Sequence, residues 1–188
     1  MSAIRLRGAT SGTTDVVAAA IAGDGVLTLP SGTGTLATAA YVDAAVAAGG
    51  KVLQVVSVTS TTAVSTNSTS FVTTGLTATI TPSSVDSKIL IMCTIPNRLT
   101  NTTTHANMTL FRGTVAGTNL GNGNNGLGMV YSGASLLTTN FSMVHLDSPA
   151  TVSSQQYTAG LLASASGQTI TAQYGSTQSN IILMEISA

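Results

Sequence analysis

The sequence predicts an all-β protein. An antiparallel β-sandwich, jelly-roll-like, is expected over residues 51–188, after an extended N-terminal arm at 1–35 and a short α-helix in a joint at 36–50, the whole trimeric. Three observations carry this reading. After Gly50 short apolar runs alternate in parity at roughly 8- to 15-residue spacing, divided by Ser, Thr, Asn and Gly turns, and nothing keeps a helical period. The stretch GVLTLPSGTGTLATAAYVDAAVAAGG, Gly25 to Gly50, reads as strand, turn and alanine-rich helix closed by two glycines. Finally, only 6% of the 188 residues are charged and the net charge is zero, against 43% hydrophobic, so the chain is expected to associate or to hide its surface in an assembly.

In the arm, Ile4 and Leu6 alternate with Arg5 and Arg7, the period of a strand with one wet face. Such a strand needs a host, and pairing with the edge of another subunit would supply main-chain hydrogen bonds. ATSGTTD at 9–15 reads as a turn, and VVAAAIA at 16–22 is open between strand and helix. VLTL at 26–29 stops at Pro30. The helix from about Leu36 to Ala48 is too short to stand alone in water. Ala39, Val42 and Val46 form a narrow seam that suits a parallel bundle of identical helices, with packing on the chain's own body as the other reading.

The body opens with KVLQVVSVTS, apolar on both parities and so expected to be covered on both faces. Residues 61–69 read as loop. FVTT, Gly75 and LTATITP predict two strands about a bend, with Leu76, Ala78 and Ile80 on one face, and SSVDS turns the chain. KILIMCTIP should be the central strand, ended by Pro96 and followed by a polar loop at 97–105. Next come a strand at ANMTLFRG, the Gly/Asn stretch 114–128, a short MVYS strand, and NFSMVHLD with Phe141, Met143 and His145 on one parity. SQQYTAGLLAS, QTITAQYG and NIILMEISA complete about eight strands, the last placed in the core beside KVLQVV.

Motifs for chemistry are sparse, and no catalytic residue, metal site or cofactor is expected. Cys93, the single cysteine, sits in ILIMCTI and reads as a small core residue. GNGNNG at 121–126 matches GxGxxG in letters, but LGMVYSG after it cannot form the helix that a dinucleotide site requires. Ser142, His145 and Asp147 share one strand or its turn and cannot converge as a triad. The acidic residues offer no evident glycosidase pair. Six scattered Lys and Arg residues argue against nucleic acid, and no apolar run is long enough to insert in a membrane. Asparagine amides and aromatic faces suit sugars, which makes Asn101, His105, Asn122, Asn124, Asn125 and Tyr131 the candidate glycan-binding residues.

The arm IRLRGATSG with GDGVLTLPSGTGTLATAAYVDAAV resembles segments of tail-fibre and related virion proteins of tailed bacteriophages. So do the opening of the body, HLDSPATVSSQQYTAGL, and the closing IILMEIS. The resemblance implies a homotrimer in the virion, assembled in the host cytoplasm. Its arm, with Ile4, Arg5, Leu6 and Arg7, would dock on a tail hub, adaptor or capsid protein, its seam at Ala39, Val42 and Val46 would form the trimer interface, and its head would meet host surface polysaccharide. The chain lacks the long fibrous repeats of many such proteins, so a capsid decoration protein stabilising the shell is the alternative. Some phage fibres hydrolyse glycans, which makes a depolymerase the third.

Overall fold

The computed structural model describes residues 3–7, 13–17, 51–100, 104–123, 125–133, 136–165 and 167–187. The chain divides into two compact units, Met1–Val42 and Asp43–Ala188.

In the first unit, β1 (Ala3–Arg7) pairs antiparallel with β2 (Thr13–Val17), Arg5 lying opposite Asp15 in register. The expected strand is present and pairs within its own chain, and the expected turn at 9–15 overlaps β2. Thr13, Thr14, Val16 and Val17 are β-formers, so the strand starts earlier than the apolar run suggests. The helix expected within 36–50, with Ala39, Val42 and Val46, lies outside the described residues.

The second unit is all-β in its described residues apart from a single 3-10 turn at Tyr174–Ser176. Its long strands are β3 (Val52–Ser60), β5 (Val72–Ile80), β6 (Lys88–Leu99), β7 (Thr104–Arg112), β9 (Gly128–Ser132), β10 (Leu137–Asp147), β11 (Gln155–Ala163) and β13 (Ser179–Ile186). Short strands β4 (Val64–Thr66), β8 (Thr118–Asn119) and β12 (Ile170–Ala172) extend the sheets. One sheet runs β10-β6-β13-β3, with β12 and β4 continuing its far end, and the other runs β5-β11-β7-β9, with β8 continuing the line of β9. All these pairings are antiparallel. They are also nested: β3 pairs β13, β5 pairs β11, β6 pairs β10 and β7 pairs β9. A long hairpin rolled over itself into two facing sheets is the jelly-roll arrangement.

The inward parity of each sheet fills one core. Leu76, Ala78 and Ile80 from β5, with Met108, Leu110, Tyr157 and Leu161, meet Ile89, Ile91, Cys93, Ile95, Ile181 and Leu183 from the opposite sheet. The first and last strands pair as their apolar content predicts. Four local expectations change. Residues 64–66 form β4 rather than loop, and Gly75, at φ +78°, sits inside a single β5 instead of dividing two strands. Pro96 does not end β6, which runs on to Leu99, so 97–99 are strand and not loop. The proline falls where β6 passes from pairing β13, up to Thr94, to pairing β12, from Asn97, and on that side no ladder bond is lost. Lastly, β3 is covered on one face only. It lies at the sheet edge with Val56 and Val58 inward, while Leu53 and Val55 stay about half exposed (46% and 55%).

Candidate functional site

Strand β7 is buried on both faces, and that makes a site on its outer side. Ala106, Met108 and Leu110 face the core. His105, Asn107, Thr109 and Phe111, of the opposite parity, lie on the outer face, where Phe71 packs edge-on against Phe111 at 5.6 Å between ring centres. Beside β7, β8 and β9 form one interrupted strand: Leu120 N–H donates to Leu110 C=O, Leu127 N–H to Met108 C=O, and β9 then takes up the ladder. The residues between are the GNGNNG segment. It leaves the strand as a small excursion closed by a bridge between Asn122 and Gly126.

Asn119 holds this excursion. Its Oδ1 accepts from Thr109 Oγ1 at 2.6 Å and from Gly121 N–H at 2.9 Å, while its Nδ2 donates to Gly123 C=O at 2.8 Å. Gly126 (φ +66°) lies so close to β7 that a Cβ there would stand 2.3 Å from Met108 O. The strand that follows, β9, is not the helix a dinucleotide fingerprint requires.

Where the excursion meets the end of β7, a cleft of about 560 Å³ opens on the outer face, and His105, Asn107, Asn125, Met129, Leu162 and Ser164 line most of it. Among the described residues no Asp, Glu, Lys or Arg lines the cleft. His105 and Tyr131 are register partners on β7 and β9, with rings 4.9 Å apart and tilted by 41°. Asn107 and Met129 form the next cross-strand pair of the same parity. Tyr131 is exposed, and Ser164 fixes the end of β7, its Oγ accepting from His105 N–H at 2.9 Å while its N–H donates to His105 C=O. An aromatic platform with neutral amide and hydroxyl groups around it can stack on a flat apolar ring face and hydrogen-bond to hydroxyls.

Of the candidate glycan residues, His105 and Asn125 line the cleft, and Tyr131 packs its ring against His105. Asn122 belongs to the excursion's bridge and is absent from the cleft lining. Asn101 and Asn124 lie outside the described residues. His105 is a half-buried strand residue rather than the solvated loop residue expected, because Ser164 and Tyr131 pin both sides of it. Asn107, Met129 and Ser164 were not singled out from sequence, and only the parity of Asn107 with His105 could have pointed to it.

The carboxylates do structural work elsewhere. Asp147, expected in a turn, ends β10 buried, accepting from Arg112 Nη2 at 2.8 Å and from Tyr157 Oη at 2.7 Å. It joins β10 of one sheet to β7 and β11 of the other. Burial first, and then the Asp147 bond, raise the Tyr157 pKa far above its ordinary value. Ser142 faces outward on β10, on the parity opposite to Asp147. Cys93 is 2% exposed, and burial pushes its thiol up to about 12.

No family model matches the chain, and no curated protein matches it. Among solved structures it is similar to infectious bursal disease virus of the Gx strain (12% identity, TM-score 0.37), covering 71% of this chain and 36% of that one. It is similar also to the T=1 particles derived from infectious bursal virus (13% identity, TM-score 0.40), covering 97% of this chain and 44% of that one. The chain thus spans less than half the length of either. At these scores the likeness bears on neither function nor assembly.

Proposed function

We propose that this chain is a virion structural protein of a tailed bacteriophage, a tail fibre or fibre tip. It docks by its N-terminal arm (Ile4 to Arg7) and presents trimeric jelly-roll heads to host-surface glycan. The observation that carries the attachment role is the meeting of His105 from β7 and Asn125 from the β8–β9 excursion in one cleft whose described lining is uncharged, with the Tyr131 ring against His105. A neutral polyhydroxylated ligand fits that lining better than a phosphate or a charged peptide, which would leave a buried charge unpaired. The protein is not an enzyme in this reading. The resemblance of the arm and of the closing strand to phage fibre segments supports the virion assignment.

Binding of the full chain to purified neutral host polysaccharides, read by calorimetry, tests the cleft. Tyr131→Ala is expected to weaken binding by about tenfold, equal to about 1.4 kcal/mol. An unchanged affinity in both Tyr131→Ala and His105→Ala would remove the attachment role. The alternative reading is a capsid decoration protein stabilising the shell. Density for this chain spread over the shell, in a map of the intact particle, would decide for it.

A further inference from the structure

Among the described residues of the second unit, no element covers the outer face of the β10-β6-β13-β3 sheet. Two rows of apolar side chains cross it in register: Leu146, Leu90, Met184 and Val55, and beside them Val144, Met92 and Ile182. The inward parity of the same strands fills the core, so these rows are a second apolar layer and not misassigned core. At the β10 end Val144 is 65% and Leu146 51% exposed. Sheets with one wet face alternate apolar-in and polar-out, and this one is apolar on both sides.

We propose that this face is where copies of the chain associate, so that the occupant is the same sheet face of a second copy. Charge argues for it. Neither row holds an ionisable group; the flanking row on one side, Asn180, Thr94 and Ser142, is polar but uncharged, and on the other side Lys88 lies opposite Ile186 at the edge of the patch. A charged partner surface would lose its water there without finding a counter-charge. This chain, with 6% charged residues, is itself a partner of the required kind. Size argues for it too. Four strands about 4.8 Å apart, counted over five residues of about 3.3 Å each, make a patch of roughly 300 Å². That area is at the lower end of the largest apolar patches on monomers, which are often functional. A standard interface takes about 800 Å² per partner, so the patch would be its apolar centre, with the Ser, Thr and Asn positions and Lys88 as rim. Like sheet faces pack at about 10 Å with side chains interleaved.

The inference goes beyond the proposed trimer, since a face packed on the same face of a second copy is a two-fold contact, and it is independent of glycan binding. Sedimentation of the full chain at micromolar concentration tests it with Val144→Lys/Leu146→Lys, and with Val55→Lys from the other side of the sheet. All three positions are more than half exposed, so the fold tolerates lysine there, and an unchanged thermal unfolding midpoint checks that it does. The wild type is expected to sediment as an oligomer, and the double variant to self-associate at least a hundredfold more weakly, with Val55→Lys weakened in the same direction. A monomeric wild type, or folded variants that keep the wild-type mass, would overturn the inference. Val42→Asp/Val46→Asp separates the two interfaces: if only that variant dissociates, the helical seam holds the oligomer and the sheet-face interface is wrong, while the trimeric reading survives.

Discussion

Glu185 shows how a single residue is constrained in a core almost without charges. It sits fully buried on the inward parity of β13, where burial alone would push its pKa up. Hydrogen bonds from Ser83, through both N–H and Oγ at 2.7 and 2.6 Å, and from Gln54 Nε2 at 2.6 Å outweigh that cost. They hold the carboxyl at about 2 against an ordinary 4.5. A folded-state pKa below the unfolded one stabilises the fold fully above the unfolded value, and the stability is lost as protons bind on the way down. The denaturation midpoint is therefore expected to fall as pH drops from 4.5 towards 2. Glu185→Gln should be less stable than wild type at pH 7 by about 1–3 kcal/mol and should lose that part of the acid sensitivity. Urea titrations of both proteins at several pH values check this, and parallel curves would exclude the role given to Glu185. The sequence shows Glu185 in an apolar strand but not what satisfies it, since Ser83 lies 102 residues away.

Among the elements, the β8–β9 excursion is exacting, because backbone approaches backbone with no flexible side chain to yield. Gly126→Ala would place its Cβ against Met108 O at a φ of +66°. It should cost about 2 kcal/mol or more and displace Asn125 from the cleft. Gly123→Ala also has a positive φ, +39°, but meets nothing within 4 Å, and should cost only about 1 kcal/mol. Thermal unfolding of the two variants measures the difference, and equal losses would mean that the close approach is unimportant. From sequence this stretch reads as a loop, and the glycines do mark a turn. Its role as an interruption within one strand depends on β7 offering its edge on both sides, and that is a tertiary fact. β3 teaches the same lesson. Its apolar residues on both parities predict two covered faces, whereas an edge position leaves Leu53 and Val55 open.

Across the whole molecule, the nested pairing places most contacts between strands distant in sequence, and the two sheets are tied by few polar links. Asp147 is one of them. Asp147→Ala would leave the Arg112 guanidinium and the buried Tyr157 hydroxyl without their acceptor. A loss of about 3 kcal/mol is expected, because removing one partner strands the others. Chemical denaturation measures it, and a loss below about 1 kcal/mol would show that apolar packing alone joins the sheets. The jelly roll serves unrelated functions, so the fold leaves function to the cleft and the bare sheet face. What the sequence by itself determined is what local alternation encodes: that the body is β, where most strands lie, that Leu76, Ala78, Ile80 and Cys93 face inward, and that the final strand joins the first. Each of these follows from a period of two and an apolar count. The tertiary structure alone decided that β6 continues through Pro96, that Asp147 is buried, that His105 and Tyr131 share a face with Asn125, and which apolar parity remains bare. Those depend on register and sheet order, and a strand's own residues do not specify which neighbour covers it.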